Sequence, residues 1–221
     1  MLVHGLWHGG WAWDGVRAQL ANRGIASVAV ELPLTGLEDD VAATVAALDA
    51  FGGPAVLVGH SYGGAVVTAA GAHPRVRHLL YLAAFALAEG ESVGRALPER
   101  DIPPTGLGAA LRFSADGQEV SVDPALAVDL FYADAPAADA AAAVARLRPV
   151  HRSVFRGVPA TIGWRSRPST YVVCADDRAV HPELQRAMAE RAGSRREWPG
   201  GHSPALTRPA EVADLVAELA R

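Results

Sequence analysis

Short apolar segments alternate with longer amphipathic, alanine-rich segments along most of the chain. The apolar runs are rich in Val, Leu and Ile without polar alternation, which is typical of strands buried on both faces. We predict six strands, over Leu2–His4, Ile25–Glu31, Ala55–Gly59, Val76–Ala83, Ser169–Ala175 and Arg195–Trp198. Between them the spacing predicts five helices, over Asp14–Arg23, Leu37–Phe51, Tyr62–His73, His181–Ala192 and Pro209–Ala220. This alternation favours an α/β fold, a mainly parallel sheet flanked by helices on both faces.

The alternation stops between residues 85 and 167, where Pro, Gly, Asp and Ala are scattered and no strand is convincing. Helices are predicted only over Pro124–Tyr132 and Ala135–Arg148. An insertion of this size in an α/β protein usually covers the ends of the strands. We therefore expect one domain, residues 1–221, with residues 85–167 as a helical cap.

Composition narrows the classes of function. The chain has 221 residues, with 24 acidic and 20 basic residues and a net charge of -4. This balance provides no basic field for nucleic acid, and we expect no nucleic-acid partner. Every basic residue is arginine, so chemistry that needs a lysine amine is excluded. An alanine-rich chain without lysine is typical of a GC-rich bacterial genome.

The chain carries few signals of its location. Cys174 is the single cysteine, which fits a reducing compartment. The segment Met1–Gly5 lacks the basic start and apolar core of a secretion signal. The longest apolar run, Leu79–Ala88, is shorter than the roughly 20 residues that cross a bilayer. We expect a cytoplasmic protein without a membrane partner, and the oligomeric state stays open.

The strongest motif is Gly59-His60-Ser61-Tyr62-Gly63-Gly64, between a predicted strand and a predicted helix. A Gly-x-Ser-x-Gly sequence in this setting is a nucleophile elbow, a sharp turn that projects the serine oxygen above the sheet. Ser61 is therefore the predicted nucleophile. The alternative is a serine that only caps the following helix.

A serine hydroxyl needs a base and an orienting acid, which follow it in the order acid, then His. Asp176 and Asp177 come directly after the fifth predicted strand. We predict Asp177 as the acid, with Asp176 as the alternative. Of the eight histidines, only His181 and His202 follow the acid, and His181 lies at a predicted helix start. His202, in a Gly/Pro loop, is the predicted base by elimination, the alternative being a solvated loop histidine.

Acyl transfer also needs donors for the negative charge that develops on the substrate oxygen. We predict the backbone N–H of Tyr62, after the nucleophile, and that of Leu6, in the Gly-rich loop after the first strand. A simple Gly-rich turn is an alternative that is compatible with this role. Aromatic residues near this loop and in the insertion are candidates for an apolar substrate pocket: Trp7, Phe131, Tyr132 and Trp164.

Together these motifs resemble the α/β-hydrolase superfamily, in particular the branch of plant methylesterases and hydroxynitrile lyases with their bacterial esterase-like relatives. The resemblance runs from the first loop to Gly201-His202-Ser203, and it places the family's serine, acid and histidine on Ser61, Asp177 and His202. Its oxyanion donors fall on Leu6 and Tyr62. The hydroxynitrile lyases of this branch carry threonine and lysine where this chain has Gly5 and Ser203, so cyanohydrin cleavage is not expected.

The sequence thus predicts a serine hydrolase that needs no cofactor or metal and cleaves a small, mostly apolar carboxylic ester through an acyl-enzyme. Two alternatives stay open on the same fold. One is a receptor-like protein that binds a small molecule without turnover. The other is a biosynthetic enzyme that uses the same three residues for cyclisation, lactone opening or acyl transfer.

Overall fold

The computed structural model describes residues 1–97 and 99–221 and contains two sheets. The larger sheet has six parallel strands in the order β2-β1-β3-β4-β8-β9, and the smaller one has three antiparallel strands in the order β5-β6-β7. The strands are β1 (Leu2–Val3), β2 (Ala29–Val30), β3 (Ala55–His60), β4 (Val76–Leu82), β5 (Leu111–Phe113), β6 (Glu119–Val122), β7 (Val150–His151), β8 (Ser169–Cys174) and β9 (Ser194–Trp198).

Nine α-helices connect or flank these strands in the described part of the chain. They are α1 (Asp14–Asn22), α2 (Leu37–Phe51), α3 (Gly63–Ala70), α4 (Leu107–Ala110), α5 (Pro124–Phe131), α6 (Ala137–Val144), α7 (Pro182–Ala189), α8 (Pro204–Thr207) and α9 (Pro209–Leu219). Within residues 1–97 and 99–221, no helix combines the length and the apolar character that crossing a membrane requires.

The central strands bury side chains on both faces of the large sheet. On β3, Leu57 belongs to the buried apolar cluster that includes residues of α2, α3 and α7. Val56 and Val58 belong to a second cluster, with residues of α1 and α9. The neighbouring strand β4 is divided in the same way. This two-sided burial explains the continuous apolar runs in the sequence.

The six predicted strands form the large sheet, and the five predicted helices around it are present with their ends shifted by a few residues. The largest difference is the second strand, predicted over Ile25–Glu31 and observed only over Ala29–Val30. This strand lies at the edge of the sheet and pairs only with β1, which itself has two residues. A short partner limits the length of the ladder.

Residues 85–167, which we call the cap segment, follow β4 and precede β8. The expectation of a cap without strands was wrong, because β5, β6 and β7 form the small antiparallel sheet inside it. The hairpin between β5 and β6 turns at Asp116 and Gly117, where Gly117 has a φ of 68° and Asp116 accepts from Gln118 N. An Asp-Gly pair between alternating residues is a hairpin signal. The two predicted helices are present as α5 and α6.

Candidate active site

Ser61 occupies a strained turn between β3 and α3. Its φ is 53°, in the left-handed region that non-glycine residues rarely adopt. Backbone hydrogen bonds hold this conformation, since the Ser61 carbonyl accepts from Gly64 N at 2.9 Å and from Phe85 N at 3.0 Å. Tyr62 takes the N-cap position of α3, without a side-chain capping bond. The turn therefore has the geometry of an elbow, and the Ser61 side chain does not cap the helix.

Close backbone contacts explain the glycines around Ser61. A Cβ on Gly59 would lie 2.5 Å from the Gly63 carbonyl oxygen, and a Cβ on Gly63 would lie 2.5 Å from the Val3 carbonyl oxygen. A Cβ on Gly5 would lie 2.9 Å from the Cβ of Ser61 itself. These positions exclude side chains, and the Gly5 position brings the first loop against the predicted nucleophile.

Both carboxylate oxygens of Asp177, at the carboxyl end of β8, accept hydrogen bonds. Its Oδ2 accepts from His202 Nδ1 at 2.7 Å, and both side chains are buried. Its Oδ1 accepts from Ala179 N at 2.8 Å and from Val180 N at 2.9 Å. Asp176 instead accepts from Gly200 N at 2.8 Å. Of the two adjacent aspartates, Asp177 is the one that contacts the predicted base.

His202 lies beside the elbow. Its carbonyl accepts from His60 Nε2 at 2.7 Å, and the two imidazole rings are 4.7 Å apart between centroids. Among the described residues, Ser61 Oγ makes no hydrogen bond with His202, a contact that in many enzymes tightens only when substrate binds. His181 has a different place, since its Nδ1 accepts from Glu183 N at 3.2 Å at the start of α7.

Sequence reasoning missed Gln185, a buried residue of α7. Its Nε2 donates to Asp177 Oδ2 at 2.8 Å and to the Val180 carbonyl at 2.8 Å, and its Oε1 accepts from Cys174 N at 2.9 Å. This amide fixes the carboxylate that contacts His202. A single glutamine in an amphipathic helix gives no sequence signal for such a role.

The loop between β1 and the 3₁₀ turn at Gly10–Trp13 is held by its carbonyls. All five from Gly5 to Gly9 accept hydrogen bonds, in chain order from His4 Nδ1, His8 Nδ1, Arg148 N, Arg148 Nε and Ala12 N. By contrast, in residues 1–97 and 99–221 the backbone N–H groups of Leu6 and Tyr62 donate no hydrogen bond, and the same holds for Trp7 and His8 in this loop. The N–H groups of Leu6 and Tyr62 are therefore not taken up by acceptors in this part of the chain. Tyr62 follows Ser61 directly, and Leu6 follows Gly5, whose backbone lies against Ser61.

Tyr62 is also anchored by its side chain, another contact that the sequence did not predict. Its hydroxyl donates to Asp40 Oδ2 at 2.6 Å, while Leu34 N donates to Asp40 Oδ1 at 2.7 Å. Burial raises the pKa of the Asp40 carboxyl above its usual range, although these hydrogen bonds oppose the shift. Asp40 thus links the start of α2 to the residue that follows Ser61.

Three further histidines are buried around this site. Burial lowers the pKa of His4 to about 4 and that of His8 to about 3, and it lowers the pKa of His60 well below its ordinary value. These imidazoles are therefore neutral at pH 7 and add no positive charge next to Ser61. Stabilisation of a developing anion here depends on N–H dipoles.

The structure brings together three of the four predicted pocket residues. The Phe131 ring lies 5.7 Å from the Trp7 ring and 6.0 Å from the Tyr132 ring, and it is 5.7 Å from the His202 ring. Trp164 does not join this cluster. Its Nε1 donates to the Leu87 carbonyl at 2.9 Å, and its neighbour Gly163 packs against Gly71, at the end of α3 that is remote from Ser61.

Metal-ligating side chains and the cysteine thiol are not arranged for catalysis in the described residues. No group of three or more His, Cys, Asp or Glu side chains in the described chain is arranged to hold a metal ion. Cys174 is buried in β8, and burial raises the pKa of its thiol, which disfavours the reactive thiolate. The chemistry that the arrangement can support is therefore centred on a hydroxyl, an imidazole with its carboxylate, and two N–H donors.

Comparisons with curated proteins give relatives along the whole chain. The chain is 28% identical to the esterase PIR7B of Oryza sativa subsp. japonica, an alignment that covers 100% of this chain and 94% of the rice protein. It is 26% identical to Methylesterase 18 of Arabidopsis thaliana, over 92% of this chain and 86% of that protein.

Solved structures have the same fold. Polyneuridine aldehyde esterase superimposes with a TM-score of 0.86 at 19% identity, covering 100% of this chain and 98% of that one. A pyrethroid hydrolase from Sphingobium faniae JZ-2 superimposes with a TM-score of 0.83 at 21% identity, covering 99% and 95%. The model of the alpha/beta hydrolase family matches residues 1–215. This protein belongs to the alpha/beta hydrolase family.

Proposed function

We propose that this protein is a carboxylic ester hydrolase in which Ser61 is the nucleophile, His202 the general base and Asp177 the orienting acid. The observation that carries the proposal is the buried hydrogen bond of 2.7 Å between His202 Nδ1 and Asp177 Oδ2, located beside the strained turn of Ser61. Because Nδ1 donates to the carboxylate, the lone pair of Nε2 is available to accept a proton.

The reaction proceeds in two halves. Ser61 Oγ attacks the ester carbonyl while His202 Nε2 takes the hydroxyl proton, and the N–H groups of Leu6 and Tyr62 stabilise the oxyanion. His202 then gives its proton to the departing alkoxide, so that alcohol leaves and Ser61 carries the acyl group. In the second half, His202 takes a proton from water, the water oxygen attacks the acyl carbonyl, and the acid leaves as Ser61 regains its proton.

The surroundings favour a small, mostly apolar ester. The Phe131 ring lies against the His202 ring and stacks on Trp7, and the hydroxyl of Tyr132 is bound to His8 at 2.7 Å. The relatives in rice and Arabidopsis are named esterase and methylesterase, which supports an ester as the substrate. Cleavage of a cyanohydrin is disfavoured, because Gly5 and Ser203 stand where the similar lyases have threonine and lysine. A Cβ at position 5 would also lie only 2.9 Å from the Cβ of Ser61.

The test combines a fluorophosphonate probe with turnover of 4-nitrophenyl acetate. We expect one adduct, mapped to Ser61, and hydrolysis that falls by at least about 10³-fold in Ser61→Ala. The matched control is Ser203→Ala, directly after His202. It removes a buried hydroxyl that makes no hydrogen bond within residues 1–97 and 99–221, and it should leave labelling in place. Undiminished turnover in Ser61→Ala would remove the proposal, and tight ligand binding without turnover would favour a receptor.

A further inference from the structure

Two residues outside the proposed catalytic groups, His8 and Tyr132, connect the first loop to the cap segment. His8 Nδ1 donates to the Leu6 carbonyl at 2.7 Å, and the hydroxyl of Tyr132 lies 2.7 Å from His8 Nε2. A carbonyl oxygen can only accept, so the imidazole proton is on Nδ1 and the Tyr132 hydroxyl must donate to Nε2. The hydrogen bonds run in one direction, from Tyr132 through His8 to Leu6.

Burial keeps this arrangement in one protonation state. His8 is 3% exposed and Tyr132 is 1% exposed. Burial lowers the pKa of His8 to about 3, so the imidazole is neutral over the range in which esterases are assayed. The protonated Nδ1 of His8 has an acceptor in the Leu6 carbonyl, and the lone pair of Nε2 has a donor in the Tyr132 hydroxyl.

The peptide that His8 holds lies next to the proposed oxyanion donor. His4 Nδ1 holds the Gly5 carbonyl at 2.9 Å on one side of Leu6, and His8 holds the Leu6 carbonyl on the other side. The Leu6 N–H lies in the peptide plane whose carbonyl His4 holds, and His8 fixes the following plane. The two contacts together fix the backbone angles of Leu6. Trp7, the next residue, has a φ of 64°, a strained conformation that persists only when surrounding contacts impose it.

Tyr132 is the residue that brings the cap segment into this network. It follows α5 directly, and its neighbour Phe131 contacts the rings of Trp7 and His202. The position of the end of α5 therefore affects both the first loop and the predicted base, His202. The β6 strand adds a further link, because Trp7 Nε1 donates to the Val120 carbonyl at 3.0 Å.

We propose that His8 and Tyr132 are positioning residues, which hold the Leu6–Trp7 peptide and so, together with His4, keep the Leu6 N–H directed toward the oxyanion. This inference rests on the proposed function, because it assigns the Leu6 N–H to the reacting oxygen. The Tyr132 hydroxyl acts through His8 and does not touch the substrate. Its effect is therefore expected on kcat, through the loop that carries the oxyanion donor.

Tyr132→Phe tests this role, since it removes only the hydroxyl. We expect kcat for 4-nitrophenyl acetate to fall about ten- to hundredfold, less than the loss of a whole oxyanion donor, with KM within about twofold. Thionoesters supply a second readout, because sulfur accepts hydrogen bonds poorly. The ratio of oxoester to thionoester turnover should shrink by a similar factor, a change that a purely structural defect would not produce.

The matched control is Tyr81→Phe. Tyr81 is also fully buried, and its hydroxyl makes one hydrogen bond, with Thr68 Oγ1 at 3.0 Å. This variant should keep both kcat and the oxygen-to-sulfur ratio near those of the wild type. If Tyr132→Phe does not fold, His8→Ala takes its place, and it should show the same split between kcat and KM.

The outcomes separate the two proposals. A wild type that hydrolyses esters and labels at Ser61, together with Tyr132→Phe that matches it in kcat and in the ratio, overturns this inference alone. A rise in KM without a change in kcat also overturns it, because Tyr132 would then contact the substrate. A wild type that neither labels nor hydrolyses overturns the proposed function, and this inference with it.

Discussion

Two adjacent aspartates, Asp176 and Asp177, have separate surroundings although they are neighbours in the chain. Asp177 is 4% exposed and bonded to His202, to Gln185 and to two backbone N–H groups. Asp176 is exposed and holds the loop before His202 through Gly200 N. Because the two residues are adjacent but have different partners, Asp176 is an internal control for the role of the acid.

Asp177→Asn should lower kcat by about 10⁴-fold, because an amide at this position favours the wrong imidazole tautomer. Asp176→Asn should stay within a few-fold of the wild type, since the asparagine oxygen can still accept from Gly200 N. Both are measured as kcat with 4-nitrophenyl acetate, and circular dichroism verifies the fold. Equal losses in the two variants would contradict the assignment of Asp177.

The turn between β3 and α3 depends on how closely elements approach one another. Helix α3 starts directly against the β1 backbone, which is possible because Gly63 has no side chain. The same approach places the first loop next to Ser61. The glycines of the motif therefore allow α3 and β1 to pack closely, in addition to allowing the turn.

Gly63→Ala should therefore destabilise the protein by at least about 3 kcal/mol, because its Cβ would meet the carbonyls of Val3 and His4 at 2.5 and 2.8 Å and backbone must move. Gly108→Ala, at a position with open space in α4, should be neutral or stabilise by up to about 1 kcal/mol. The free energy of unfolding in urea measures both. A Gly63→Ala protein as stable as the wild type would show that α3 can shift away from β1.

The order of elements was predictable because it depends on local pattern. Buried strands read as apolar runs, and Gly59-His60-Ser61-Tyr62-Gly63 carries its own turn geometry. The Asp116-Gly117 hairpin was predictable on the same grounds, and it was missed because the flanking strands are only three and four residues long. Short strands contain too few alternations to stand out from a loop.

The partners of buried polar groups were not predictable, because they join residues far apart in sequence. Tyr132 and His8 are 124 positions apart, and Tyr62 and Asp40 are 22 apart. Neither pair has a spacing that local pattern can detect. His202 could be found only by elimination, since chain order limited the candidates. The assignments of Ser61, Asp177 and His202 as a catalytic set stay predictions until they are tested.

In the molecule as a whole, many polar contacts join the cap segment to the rest of the fold, and two of them are arginine anchors. Arg148 donates to the carbonyls of His8 and Leu32 and forms an ion pair with Glu31 at 2.9 Å. On the other side, Arg191, beyond the end of α7, pairs with Glu91 at the start of the segment. Because the loop beside Ser61 is held from the cap segment, loosening these anchors should affect both stability and activity.

The Glu91–Arg191 pair is the more buried anchor, with side chains 10% and 14% exposed. Arg191 forms two bonds to the carboxylate, at 2.6 and 2.7 Å, and a third to the Ala86 carbonyl. Glu91 in turn accepts from Ala88 N and Leu97 N. One carboxylate therefore holds both ends of the turn that spans residues 88–97. Removing the arginine leaves a buried charge without its partner.

Arg191→Met should lower the free energy of unfolding by about 3–5 kcal/mol. Arg186→Met, which breaks the more exposed pair with Glu197, should cost less than about 1 kcal/mol. Urea unfolding measures both, and limited digestion with trypsin reports the turn directly, since Arg95 lies within it and should be cleaved faster in Arg191→Met. Similar stabilities and similar cleavage in the two variants would mean that apolar packing alone seats the cap segment on the sheet.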